Sequence, residues 1–341
     1  MQAVDIRGWE QDGEFSPFPE GARDKYALIA PEAPEDGRII PGHRYLMKFS
    51  NPRYPVQFWS EMIAGLLGQL MSVSVPQCFY AEDPTTGLPG TLISWFYGFE
   101  IEKDFLEAET SAVSHTLGHD PDIPEAAPET HSLYVPGGNY MVRRIEEYDL
   151  KTGKQHNLKH IGFLVTRFRQ LFGVDYWEHW AKMLTFDAII GNTDRHQDNW
   201  GVLWRADRNQ KMIPRFSPAF DNGTSLLHEI MEEKLDMFNV PARLDAYINR
   251  GRHHMRFEID DQRQAPHLDL VTALYQHRTA LRPAMTRCLC WDEAIFSAEM
   301  MQFVEFPSPH PLTQNRAAAI RNVVVRRTEL LRNAFMAIDN V

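Results

Sequence analysis

The most regular hydrophobic pattern lies at residues 56–70, where Phe58, Met62, Ile63, Leu66, Leu67 and Leu70 recur at helical spacing as a wide apolar stripe. Glu61 falls off that stripe, on the side of Gly65, Gly68 and Ser72. It faces either a closely packed neighbour admitted by those small residues or, on ordinary helix statistics, water. Upstream, apolar positions alternate over short runs. Residues 25–28 and 45–49 predict strands, the second carrying Lys48 near its end, and Pro52 and Pro55 stop it because neither can continue a ladder. Two strands are predicted within residues 75–102, about the turn at 83–87, and another over residues 140–145. Helical periodicity takes over from Leu158 and is clearest over 176–190. Residues 200–204 and 211–216 predict a short hairpin, after which helices resume near Leu226 and fill most of 268–341. A strand-rich first half followed by a helix-rich second half predicts an α+β protein of two lobes, 1–145 and 146–341, with a ligand cleft between them.

Composition narrows the function classes. With 341 residues, 43% of them hydrophobic, 20 Phe and 8 Trp, the chain can bury a large core. A formal net charge of −11 argues against direct, sequence-independent nucleic-acid binding. Three cysteines make no disulfide framework and suit a cytoplasmic setting; Cys288 and Cys290 read as ordinary core cysteines. No apolar run approaches the length of a membrane span. Residues 103–131 are acidic, proline-containing and poor in aromatics, which predicts a surface insertion.

Candidate chemistry gathers at residues 186–201, where an apolar helix runs into a polar turn carrying Asp194, His196, Asp198 and Asn199. A second acidic turn, Asp221-Asn222-Gly223, follows. Phosphoryl transfer from a nucleotide needs amides over the phosphates, a cation touching them, metal ions bridging them and a carboxylate to take the nucleophile's proton. Gly21 sits in a turn suited to the first task. Lys48, on a strand, and Glu61, on the next helix, permit an ion pair between sheet and helix. Asn199 and Asp221 supply the oxygen donors that Mg²⁺ prefers. Asp194 precedes Asn199 by the interval that kinase catalytic loops use between base and metal-binding asparagine. Each feature alone is weak, and Asp221-Asn222-Gly223 is also an ordinary turn sequence. Their order carries the argument. His196 orders the loop or contacts phosphate; the structural role is preferred because Asp194 already suits the base. Asp198 is assigned to the surface, as are His253 and His254. A metal-dependent hydrolase using Asp194, His196, Asp198 and Asp221 is the rival from another class.

Residues 190–199, Ile-Gly-Asn-Thr-Asp-Arg-His-Gln-Asp-Asn, resemble the catalytic loop of the HipA-like serine/threonine kinases. Residues 21–28 are similar to that family's phosphate-loop segment and residues 216–221 to its metal-binding turn. The resemblance implies a two-lobed protein-kinase-like fold, ATP and Mg²⁺ as cofactors, and transfer to serine or threonine hydroxyls of a protein. It implies Asp194 as base, Asn199 and Asp221 as metal ligands, and Gly21, Ala22 and Lys25 about the phosphates. Lys48, paired with Glu61, would reach the α- and β-phosphates, and a hinge near 142–145 would bring Arg143 and Ile145 to the adenine. Many family members are bacterial toxins restrained by a small antitoxin. This chain begins almost at the phosphate loop and so resembles the short, stand-alone form without the N-terminal subdomain, which weakens the expectation of such a partner. Phe18 stands where a regulatory serine is expected, and Ser16 is out of register. A lipid or small-molecule kinase and a non-catalytic, ATP-binding pseudokinase are the alternatives within the fold. The C-terminal helices carry no basic amphipathic stripe for anionic membranes, which favours a protein substrate.

Overall fold

A computed structural model describes residues 1–13, 23–97, 133–206 and 212–340. Gly21, Ala22, Ser16, Phe18 and the acidic stretch 103–131 lie outside the described residues. Strands β1 (Glu10–Gln11), β2 (Lys25–Ile29), β3 (Arg44–Phe49), β4 (Cys78–Glu82) and β5 (Pro89–Ser94) form an antiparallel sheet in the order β1-β2-β3-β5-β4. Side chains alternate across a strand, and β3 uses both faces. Tyr45 and Met47 are fully buried in a small core with Leu28, Phe79 and Leu92, whereas Leu46 and Lys48 face the cleft. Lys25 lies opposite Lys48 in the ladder and therefore shares its face.

Helix α1 (Phe58–Leu70) is buried almost all round rather than on one stripe. It is wedged between β5 and the second lobe. Its Trp59 ring lies 5.8 Å from that of Phe303, and Trp59 Nε1 donates to the His310 carbonyl at 2.9 Å. A Cβ on Gly68 would meet Val75 at 2.5 Å, so a bare backbone is needed for the close approach. The small-residue side of this helix is thus an interface, and Glu61 is 3% exposed.

Strands β6 (Leu133–Pro136), β7 (Gly201–Ala206) and β8 (Met212–Phe216) make a second sheet, in the order β6-β7-β8. The strand expected over 140–145 is instead helix α2 (Gly137–Arg144). Tyr140 and Met141 are buried side by side while Val142 is exposed, which strand alternation forbids. A Cβ on Gly137 would come within 2.3 Å of the Trp200 ring, so the glycine sets where this helix begins. The three-residue apolar run Tyr-Met-Val carries too little period to separate helix from strand.

Helices α3 (Leu158–Phe172) and α4 (Trp177–Ile190) follow. The helix expected around Leu226 is absent: Leu226 and Leu227 are left-handed, with φ of 52° and 64°, in a turn. Regular structure resumes with a 3₁₀ segment at Glu232–Asn239 and helix α5 (Pro241–Arg250). Helices α6 (His267–His277), α7 (Arg282–Cys288), α8 (Glu293–Val304) and α9 (Gln314–Asp339) complete the second lobe. Among the described residues no helix is long and apolar enough to cross a membrane.

Helix α4 delivers the candidate catalytic loop and is core on nearly every position from Trp180 to Ile190. It stops at Gly191, whose φ of 68° is a left-handed conformation that favours glycine, and whose N–H caps the Asp187 carbonyl. A Cβ here would also stand 2.0 Å from the buried Arg327 guanidinium. Gly191→Ala is expected to lower stability by roughly 1–2 kcal/mol from the backbone conformation alone, read as a fall in the urea midpoint at unchanged slope.

Candidate active site

The site is assembled from α4 outward. Asp187, alone among apolar neighbours near the end of that helix, is fully buried and receives the Arg195 guanidinium twice, Nε at 3.0 Å and Nη2 at 2.8 Å. Arg195 is 0% exposed. Its remaining donors go to the Asn199 carbonyl at 2.9 Å, the Phe220 carbonyl at 2.5 Å and Asn222 Oδ1 at 2.7 Å. All five guanidinium N–H groups are thereby used, and one side chain joins helix α4, the 192–199 loop and the 220–222 turn. Burial works against the Asp187 charge, but Arg195 and His253 hold its carboxyl down at about 2.

On this platform Asn199 turns its Nδ2 to the Asp194 carbonyl at 2.7 Å, which leaves its amide oxygen for the cleft. Asp221, at a left-handed φ of 53°, points toward Lys48 Nζ, with Oδ1 2.5 Å away. Lys48 Nζ also donates to Glu61 Oε1 at 3.2 Å, and Glu61 Oε2 accepts the Asn222 N–H at 2.9 Å. The lysine, the helix carboxylate and the turn aspartate are therefore one ion cluster spanning both lobes. Despite burial, Lys48 and Arg23 hold the Asp221 carboxyl well below the usual range. Asp194 lies at the rim, 44% exposed. Burial of part of its surface raises its pKa, a shift that the neighbouring His196 opposes.

The cavity between the lobes measures about 330 Å³ and is lined by Lys25, Lys48, Glu61, Asn199 and Asp221 on its polar side. Trp95, Phe96, Tyr97, Tyr134 and Phe220 form the aromatic side. Tyr97 stacks on Tyr134 with centroids 4.9 Å apart, and Phe96 lies 5.1 Å from Phe220. Burial pushes the Tyr97 phenol up to about 12 and raises that of Tyr134 well above its ordinary value.

Several expectations need correction. Arg143 and Ile145 do not reach this cavity: Arg143 is exposed on α2, and Ile145 packs on the main core just past its end. The segment that borders the cavity where the chain leaves the first sheet is 94–97. Asp198 is not a plain surface residue, because it lines the cavity and accepts from Gln197 Nε2 at 2.8 Å. His253 is buried, with Nε2 donating to Asp187 at 3.3 Å, and burial beside His196 and His253 takes the half-buried His254 down to about 4. Sequence spacing gave no sign that these histidines pack against the candidate catalytic loop. Cys288 is buried as expected, whereas Cys290 is exposed.

His196 Nδ1 accepts the Asp198 N–H at 3.2 Å, a contact within the 192–199 loop. Burial opposes its charge, yet Asp198 and Asp194 raise its pKa overall. The protonated ring must trade that N–H for the Asp198 carboxylate at 3.7 Å, so protonation and loop geometry are linked. Sequence reasoning also missed Arg23 and passed over Arg195 and Asp187. The lone carboxylate in the apolar run of α4, eight residues before an arginine, was the available signal.

The donor set fits Mg²⁺ at Asn199 and Asp221, since both line one cavity with the hard oxygens this ion prefers, and an ion held there would take water and phosphate as its other ligands. Among the described residues no three His, Cys, Asp or Glu side chains gather closely enough to hold a metal by themselves.

Arg195→Met leaves Asp187 charged and buried and is expected to cost about 3–5 kcal/mol, measured by denaturant titration. Asp187's folded pKa is depressed, so its contribution is present above the unfolded value of 3.8 and is lost as pH falls toward about 2. That acid loss should flatten in the variant.

No protein-family model matches the chain, and no curated protein sequence matches it. Among solved structures it is similar to the Helicobacter pylori proinflammatory kinase CtkA, with a TM-score of 0.68 at 15% identity over 100% of this chain and 99% of that one. It is also similar to HipA of the Shewanella oneidensis MR-1 toxin–antitoxin system, recorded with HipB and its operator DNA, with a TM-score of 0.52 at 14% identity over 100% of this chain and 70% of that one. The chain has the HipA-like, two-lobed kinase fold that these two proteins share.

Proposed function

We propose that the protein is a Mg-ATP-dependent kinase that phosphorylates serine or threonine hydroxyls of a protein. The observation that carries this reading is the single cluster of Lys48, Glu61 and Asp221 across the cleft, with Asn199 lining the same cavity and Asp194 at its rim. The fold shared with CtkA and HipA supports it.

On this reading the aromatic side of the cavity takes the adenine and Lys48 contacts the α- and β-phosphates. Asn199 and Asp221 hold Mg²⁺, which when bound neutralises charge on the phosphate oxygens. Asp194 receives the proton that the substrate hydroxyl loses on attack. Its exposed position lets a hydroxyl on another macromolecule reach it, which favours a protein over a small molecule enclosed in the cavity. Arg195 touches no reacting atom; it positions the loop and the turn relative to each other. A small antitoxin partner, in the manner of HipB with HipA, belongs to the same proposal and rests on that likeness alone.

Incubation with labelled Mg-ATP, alone and with cell lysate, should transfer label to protein serine or threonine, and Asp194→Asn should abolish transfer while keeping ATP binding. Tight ATP binding without transfer by the wild type would leave a pseudokinase. Because the Asp194 pKa is raised, the acid limb of kcat/KM should fall at a pH above the ordinary carboxylate value of 3.8. Asp221→Asn should weaken Mg-ATP binding more than binding of metal-free nucleotide, as measured by calorimetry with and without chelator.

A further inference from the structure

Four charged groups meet at the inner wall of the cleft. A single nitrogen of Arg23, Nη2, donates to Glu61 Oε1 at 2.9 Å and to Asp221 Oδ1 at 2.8 Å. These are the same two oxygens that accept Lys48 Nζ. Arg23 therefore repeats a bridge that Lys48 already makes. With Arg23 the two carboxylates are balanced by two cations; without it the cluster carries one uncompensated negative charge.

Arg23 does not line the cavity. It reaches the carboxylates from beside the metal-binding turn, where Gly223 makes room: a Cβ there would stand 2.3 Å from Arg23 Nη1. That Nη1 is buried and has no acceptor among the described residues. Both hydrogen bonds that Arg23 makes here go to carboxylates, so its hold rests on its charge against Glu61 and Asp221.

Resting on the reading of Asn199 and Asp221 as metal ligands, we propose that Arg23 prevents this pair from taking a divalent cation on its own, so that metal enters only together with an anionic, phosphate-bearing ligand. A cation seated on Asp221 would lie about 2.1 Å from a carboxylate oxygen, and that carboxylate already has the Arg23 charge at hydrogen-bond distance. Like-charge repulsion at that separation is strong in a partly buried site. The charge of a nucleotide's phosphates offsets it. Lys25, on the Lys48 face of the ladder and lining the same cavity, adds to the positive field and acts in the same direction.

The test is titration of nucleotide-free protein with Mn²⁺, with free Mn²⁺ followed by electron paramagnetic resonance. Wild type should show weak binding, and Arg23→Met should bind Mn²⁺ tighter by about tenfold or more, as expected for removing a unit charge beside a divalent ion. Adding Asp221→Asn to Arg23→Met should abolish the gain. Gly223→Ala offers a second route should Arg23→Met fold poorly, because its methyl displaces the flexible end of Arg23 and should tighten Mn²⁺ in the same direction. Equal or weaker Mn²⁺ binding by both variants overturns the proposal, as does a gain that survives Asp221→Asn. Failure of wild type to bind ADP with Mn²⁺ would instead count against the kinase reading and leave the nucleotide-free comparison interpretable.

Discussion

The buried contact between Asp187 and Arg195 is the constraint on which the rest of the site depends. Neither side chain has access to water, and an isolated charge in that position would be untenable. Five donors of one guanidinium meet acceptors from three segments that are far apart in sequence. Replacing such a pair with apolar groups can leave stability unchanged, so its use here lies in what it specifies. It sets where the 192–199 loop lies against the 220–222 turn, and through them how Asn199 and Asp221 share one cavity. His253 closes the other side of Asp187 and ties the segment after α5 to the same point.

A second constraint acts across the cleft. Glu61 sits on a helix buried on nearly every face, so its carboxylate has little freedom. Lys48 is fixed by strand pairing on both sides of β3. Asp221 is carried by a turn, which Arg195 and Glu61 restrain through Asn222 Oδ1 and the Asn222 N–H. The lobes are thus joined by packing through Trp59 and by charge through Asp221, and the two connections support each other.

Much of this was legible in the sequence because local chemistry decides it. Strand alternation marked β2 and β3, helical spacing marked α1 and α4, and the order of Lys48, Glu61, Asp194, Asn199 and Asp221 followed a known functional logic. What was not legible depends on packing between distant segments. Glu61 could be judged solvated or buried until its helix was seen between two lobes. His253 gave no local sign of pairing with Asp187, and the strand expected over 140–145 is a helix because three apolar residues cannot distinguish a strand from a turn of helix. The aromatic side of the cavity joins residues from 95–97, 134 and 220, a set that no window of sequence contains.

The placement of charge along the cleft follows from what each part would have to do on the kinase reading. Deep in the cleft, Glu61, Asp221, Lys48 and Arg23 compensate one another, which is how ionised groups tolerate burial. Toward the rim, the Asp194 carboxylate accepts no hydrogen bond from a fixed cation among the described residues. Its nearest positive candidate is His196, 4.0 Å away and charged only when protonated. An aspartate with a compensating arginine would be a poor proton acceptor, since the pairing would stabilise its anion as Arg195 does for Asp187. On the kinase reading, the fold would therefore separate a carboxylate held strongly acidic, Asp187, from one kept more basic for proton transfer, Asp194, only seven residues apart.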